Sequence, residues 1–276
     1  MQRFDLIVIG AGPGGYVAAI RGAQLGLTVA VIEKEKTLGG TCLNWGCIPS
    51  KALLDSSEHY HQAVSKFDVH GIECGSIKVN LKKMMARKVA VVDQTTQGIG
   101  YLMEKNKITT FQGVASFVDA HTVAIQSGKS SESIQGDKIL VATGSDVMPL
   151  PSVPFDGKRV ISSTEALSLT KVPKKLIVVG GGVIGVELGS VYARLGTEVT
   201  VVEFMDRLLP TMDQELGKQL QRSLKGLGFT FHFKTKVTGA KVTKSGVTVT
   251  AETGKGDVLS LKGDHVLVSI GRRPYT

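Results

Sequence analysis

Residues 4–15 read Phe4-Asp5-Leu6-Ile7-Val8-Ile9-Gly10-Ala11-Gly12-Pro13-Gly14-Gly15. An apolar run rich in β-formers ends on a cluster of glycines. An apolar helical pattern then runs to Leu25 and stops at Gly26. A second strand pattern, residues 28–32, ends at an acid, Glu33. Strand, glycine loop, helix, strand is the βαβ unit that binds dinucleotides. Gly10 permits the tight turn, Gly12 lets backbone approach a pyrophosphate, and Gly15 lets helix and strand pack closely. The helix N-terminus offers unspent N–H groups and a partial positive charge to the anion. Glu33, 23 positions after the first glycine, is placed to accept hydrogen bonds from ribose hydroxyls.

The same order recurs 170 residues later: Gly10 to Gly180, Gly12 to Gly182, Gly15 to Gly185, Gly26 to Gly196 and Glu33 to Glu203. A lone glycine fingerprint arises easily by chance, but two in matching context, each with its acid, do not. Each copy has a similar tail of short strand patterns. In the first these are residues 108–117, 122–125 and 138–141, closing on Ala142-Thr143-Gly144. In the second they are 229–234, 246–251 and 266–269, closing on Ile270-Gly271-Arg272. First to closing glycine takes 134 residues in copy one and 91 in copy two. The surplus houses a cysteine segment and a helix-rich stretch near 81–105, and Pro149, Pro151 and Pro154 mark a linker. The expected fold is α/β: two tandem Rossmann-like domains, 1–147 and 148–276, each with a central parallel sheet and a small antiparallel β-meander.

The chain has 276 residues, 42% apolar, with a net charge of +9. The lysines are interleaved with acids, which suits anionic cofactors better than nucleic acid. No apolar run reaches the roughly 20 residues that span a bilayer. The expected setting is a bacterial cytoplasm, or an organelle matrix after removal of a transit peptide.

Three cysteines are too few for a secreted disulfide scaffold. Cys42 and Cys47 lie in Gly39-Gly40-Thr41-Cys42-Leu43-Asn44-Trp45-Gly46-Cys47-Ile48-Pro49-Ser50-Lys51. Zinc sites usually use closer pairs and need two further ligands. Cys74 with His59, His61 or His70 could complete such a set, but no second pair at metal spacing exists. The redox reading is favoured and no metal is expected. Lys51, four residues beyond Cys47, places a cation one helical turn away. Asn44 and Trp45 read as turn and packing residues, and Cys74 as a buried or inert thiol. Glu187 falls in the expected first turn of the second helix, where a carboxylate gains from the helix dipole. It also lies toward the nicotinamide end of a bound dinucleotide.

These residues resemble the class I pyridine nucleotide–disulfide oxidoreductases, and within them the dihydrolipoamide dehydrogenase branch. The resemblance is carried by residues 10–16, 40–54, 142–145, 180–187 and 271–274. It implies a glutathione-reductase-like FAD/NAD fold and a flavin-dependent oxidation of dihydrolipoamide by NAD⁺. FAD is expected on the first copy, with Gly10, Gly12, Pro13, Gly14 and Gly15 at the pyrophosphate and Glu33 and Lys34 at the ribose. Gly40, Thr41, Cys42 and Lys51 would line the isoalloxazine, Ala115 would meet adenine, and Ala142, Thr143 and Gly144 would close the site. NAD is expected on the second copy, through Gly180, Gly182, Val183, Ile184 and Gly185. There Glu203 would meet ribose, Val237 adenine, and Gly271 would close the site. The charge of Glu203 would repel a 2′-phosphate. Cys42 would exchange with substrate, Cys47 would face the flavin, and Lys51 and Glu187 would tune it.

The resemblance also implies partners: the lipoyl domains of 2-oxoacid dehydrogenase complexes and, in full-length form, a second copy of the chain. Family members continue beyond the closing glycine, with the rest of the FAD domain and a dimerisation domain carrying a His–Glu dyad. The expectation for residues 1–276 alone is impaired activity. Alternatives are a mercuric-reductase-like flavoprotein, or a piece that binds nucleotide without catalysis.

Overall fold

The structure is a computed structural model that describes residues 1–276. The chain forms two compact units. One comprises Met1–Pro49, Val89–Asp146 and Pro274–Thr276, and the other Ser50–Lys88 and Val147–Arg273. The repeat gave no signal that residues 50–88 pack with the second unit.

In the first unit β1 (Gln2–Ile9) leads through the glycine loop into α1 (Pro13–Gln24) and β2 (Val29–Glu33). Every residue of β2 is buried, as a strand covered on both faces requires. The cysteine segment forms α2 (Gly40–Trp45) and the start of α3 (Cys47–Ser65). The helix α4 (Leu81–Lys105) returns the chain, and its Ile99 and Met103 pack with Val8, Ala19, Val31 and Leu43. The strands β3 (Thr109–Gln112), β4 (Val114–Phe117), β5 (Thr122–Ser127) and β6 (Ser130–Val141) complete a six-stranded sheet. Its order is β3-β2-β1-β6-β5-β4, with β3, β2, β1 and β6 parallel and β5 and β4 added antiparallel. The meander therefore continues the same sheet. The single run expected over 108–117 is broken at Gly113, where a Cβ would meet Ile125 at 2.7 Å.

A short strand, β7 (Ser145–Val147), carries the chain onward. The second unit holds β8 (Val160–Ile161), α5 (Ser163–Ala166), β9 (Lys175–Val179), α6 (Val183–Arg194) and β10 (Glu198–Val202). It continues with α7 (Gln214–Gly226), β11 (Thr230–His232), β12 (Thr235–Val242), β13 (Val247–Thr253), β14 (Val258–Gly263) and β15 (His265–Val268), before β16 (Arg272–Pro274). A five-stranded parallel sheet, β11-β10-β9-β15-β8, stands beside a separate antiparallel β12-β13-β14. Strands β12 and β14 escaped the sequence reading. Lysines, threonines and glycine interrupt their apolar alternation, because one face is solvated.

The helix α6 buries Val186, Leu188, Val191 and Tyr192 against this sheet, and the Tyr192 hydroxyl donates to the Ala166 carbonyl. Ser162 and Glu165 form a reciprocal cap on α5. Lys88, buried without a carboxylate partner, donates to the Leu167 carbonyl at 3.0 Å, and burial pushes its ammonium below the usual lysine range.

The turns that open and close the repeated helix are reproduced in both copies. Gly10 N–H donates to Ile32 O at 2.8 Å, and Gly180 N–H to Val202 O at 2.9 Å. Gly26 N–H donates to Ala23 O, and Gly196 N–H to Ala193 O, closing α1 and α6 alike. Gly10 and Gly180 take φ of +100° and +104°, which an L side chain rarely adopts. At Gly15 and Gly185 a Cβ would strike the carbonyl of the first glycine, at 2.8 Å in the second copy.

Gly185→Ala should therefore cost about 1–3 kcal/mol by overpacking. Gly98→Ala, in α4 with nothing within 4 Å of a new Cβ, should gain about 0.5–1 kcal/mol. Urea unfolding of the two variants checks both. Equal stabilities would contradict the packing account.

Candidate functional site

At the carboxyl ends of β1, β2 and β6 the first unit gathers its glycine loop. Gly39 N–H donates to Ala11 O at 2.8 Å, and a Cβ on Gly40 would press on Gly12 Cα at 2.6 Å. The turn before α2 is thus laid directly on the pyrophosphate loop. Asn44 ties that turn, donating to Leu38 O at 3.1 Å and Gly40 O at 2.9 Å, and accepting from Thr37 at 2.7 Å. Beside β6, Thr143 donates to Tyr275 O at 2.5 Å, and Lys34 Nζ lies 3.8 Å from the Tyr275 ring centroid. Ala115 sits on β4, paired with Ile125.

Cys42 is half-buried in α2, whereas Cys47 is exposed at the head of α3. The two helices are separated at Gly46, with φ −139° and ψ −112°. A Cβ there would meet Thr41 O at 2.8 Å. The backbone is thus distorted between the two cysteines. Cys74 is exposed, which removes burial from the two expectations for it, a buried or an inert thiol. No apolar strand or helix pattern surrounds it to hold it inside.

Lys51 stands four residues beyond Cys47 on α3. In the second unit its ammonium meets both oxygens of Glu187, at 2.7 and 2.9 Å, and Ser50 Oγ donates to the same carboxylate at 3.2 Å. Glu187 is the fifth residue of α6, which starts at Val183, so it lies past the first turn. The dipole account of this acid gives way to an ion pair. Glu58 and Arg194 pair at 2.8 Å, and Asp55 and Arg87 at 2.7 Å. These contacts fix the body of α3 against α6 and α4.

The second unit also carries a cavity of about 910 Å³ at the carboxyl ends of β9, β10 and β15. It is lined by Gly180, Gly182, Val183, Ile184, Glu203, Val237 and Gly271, all expected from the sequence. Gly185 and Glu187 do not line it. Gly185 is turned into the helix–strand contact, and Glu187 toward Lys51. Phe204, Met205, Lys236 and Arg272 line it too and were not foreseen. The exposure of Phe204, 68%, shows that the two apolar residues after the acid serve no core.

A dinucleotide needs bare backbone at the second glycine and unspent N–H groups at the helix end. Both are present. A Cβ on Gly182 would touch nothing within 4 Å, and one on Gly12 would find only Gly40 Cα at 3.7 Å. Neither α1 nor α6 has a side-chain cap or an acid in its first turn. Both units thus fit an anionic nucleotide.

If the two short contacts hold Lys51, its amine should be labelled slowly by acetic anhydride. Labelling should quicken several-fold in Glu187→Gln, with other lysines unchanged. Peptide mass spectrometry reads this, and equal rates would refute the pairing in solution.

Comparisons with known proteins agree with this geometry. Residues 4–276 match the family model for pyridine nucleotide-disulphide oxidoreductases. The chain is 52% identical over 274 residues to a leghemoglobin reductase of Vigna unguiculata, covering 99% of this chain and 52% of that protein. It is 51% identical to the mitochondrial dihydrolipoyl dehydrogenase 1 of Arabidopsis thaliana, covering 99% of this chain and 54% of that protein. The chain thus spans about half the length of the curated relatives it matches. A solved structure, the Cu(II) complex of the HOCl-induced flavoprotein disulfide reductase RclA from Escherichia coli, superposes with a TM-score of 0.84 at 26% identity. It covers 100% of this chain and 58% of that one. With its paired glycine loops and its cysteine segment, the chain belongs to the pyridine nucleotide-disulphide oxidoreductase family.

Proposed function

We propose that this chain carries the nucleotide and sulfur machinery of a flavin-dependent disulfide oxidoreductase, which oxidises dihydrolipoamide with NAD⁺ to lipoamide and NADH. The observation that carries the reading is the seating of the cysteine segment on the first glycine loop, with Gly39 N–H donating to Ala11 O at 2.8 Å and Gly40 laid against Gly12. The names of the dihydrolipoyl dehydrogenase relatives support it.

The residues divide the work. In the oxidised pair, Cys42 takes the first substrate sulfur and Cys47 is released. The second substrate sulfur then displaces Cys42, closing lipoamide. Both cysteines end as thiols, and the pair gains two electrons and two protons. FAD, when bound in the first unit, would relay those two electrons to NAD⁺. Gly10 to Gly15 would hold the flavin nucleotide's pyrophosphate, with Thr41, Cys42 and Lys51 toward its ring, Ala115 toward adenine, and Ala142 to Gly144 closing the site. Gly180 to Gly185 would hold the pyrophosphate of NAD, with Val237 toward adenine and Gly271 at the closing turn. Glu187 would hold Lys51 in place beside the ring.

Partners follow from the same reading: a lipoyl domain as substrate carrier, and a second copy of the full-length chain. The mitochondrial names of several relatives favour an organelle matrix. No helix is long and apolar enough to cross a membrane. The leghemoglobin reductase relatives support a second reading, in which the reduced centre delivers electrons to a haem protein.

Anaerobic mixing of the oxidised protein with dihydrolipoamide tests the sulfur step directly. One lipoamide should form per chain, and Cys42 and Cys47 should both become open to alkylation. Cys42→Ser should abolish the yield. Lipoamide formation undiminished in Cys42→Ser would overturn the proposal.

A further inference from the structure

Glu33 and Glu203 end β2 and β10, and both are nearly buried, at 9% and 7% exposure. Their carboxylates do not wait empty for a ribose. Glu33 Oε2 accepts from Ala11 N–H at 2.8 Å, and its Oε1 from Glu35 N–H at 3.0 Å. Glu203 Oε2 accepts from Gly181 N–H at 2.5 Å, and its Oε1 from Met205 N–H at 2.6 Å. Every donor and acceptor recurs at the 170-residue interval, so the arrangement is present twice in sequences that otherwise differ.

A buried carboxylate must be compensated, and bonds from backbone N–H to a charged acceptor are among the strong ones. Each acid grips the residue just before the helix N-cap glycine, and also the residue two beyond itself. One side chain thereby fastens the pyrophosphate loop to the loop after the second strand. The N-cap glycines, at φ −72° and −78°, are held extended with their faces open.

We infer that Glu33 and Glu203 are positioning residues that shape the two pyrophosphate loops before any nucleotide arrives. Acceptor capacity left on the same carboxylates serves the ribose, since an ionised carboxylate has roughly four lone-pair sites. Binding of NADH then depends on Glu203 through the shape of the loop as well as through the ribose. This rests on the reading of residues 180–185 as a nucleotide loop.

Amide hydrogen exchange on the nucleotide-free protein tests the clamp without using that reading. The Gly181 and Met205 amides should be protected in the unsubstituted protein. They should lose protection in Glu203→Gln, while Val178 and Val201 in the strands stay slow. Fast exchange of Gly181 and Met205 in the unsubstituted protein, slowed only by NADH, overturns the inference. An unsubstituted protein that binds no NADH would sink the nucleotide reading while leaving the exchange result to stand.

In a second arm, Glu203→Gln should weaken NADH by about tenfold, as when a buried donor loses its acceptor, in step with the loss of Gly181 and Met205 protection. Glu203→Ala should weaken it further, the amide oxygen of Gln restoring part of the loss. NADH affinity unchanged in Glu203→Gln overturns the inference. So does a lower melting temperature with that affinity unmoved, the mark of a merely structural acid.

Discussion

Where α1 crosses β1 and α6 crosses β9, the helix backbone lies against the carbonyl of the first loop glycine. No side chain fits between them at Gly15 or Gly185. That contact sets how far each helix advances toward its sheet. It places the helix N-terminus over the strand ends, where unspent N–H groups converge. The strand tips, the acids at their ends and the cavity of the second unit all take their positions from it. A single methyl at this point would move the anion site before it touched any ligand.

The same scaffold is used for different ends in the two units. In the first, the loop after β2 becomes the cysteine segment, and Gly40 rests on Gly12, so that segment is seated on the first glycine loop itself. In the second, the corresponding stretch is short, and Phe204 and Met205 line an open cavity instead. Lys51 and Glu187 are separated by 136 residues yet meet at 2.7 Å. Their pairing joins the second turn of α3 to α6.

The glycine spacing and the acids were legible because backbone geometry leaves no choice of residue at Gly10, Gly15 and their counterparts. Residues 175–179 and the helix over 81–105 were read with the observed limits, since their apolar periodicity is undisturbed. Strands β12 and β14 were missed because a solvated face dilutes the pattern with lysine and threonine. The ion pair of Glu187 with Lys51 was not legible, because a sequence shows spacing and not a partner 136 residues away. The acids were read as ribose ligands alone. That backbone N–H groups already occupy them is a property of two loops meeting, which no local pattern records. Phe204 and Met205 were overlooked for a simpler reason: apolar residues after a strand read as core until exposure shows otherwise.

Two like modules in one chain should hold two different nucleotides, the second of them NAD. Titrating NADH into isotope-labelled protein and following backbone amide shifts tests it most directly. Shifts are expected at Gly180 to Gly185, Val237 and Gly271, with Gly10 to Gly15 undisturbed. Shifts concentrated at Gly10 to Gly15, or spread equally over both loops, would contradict it.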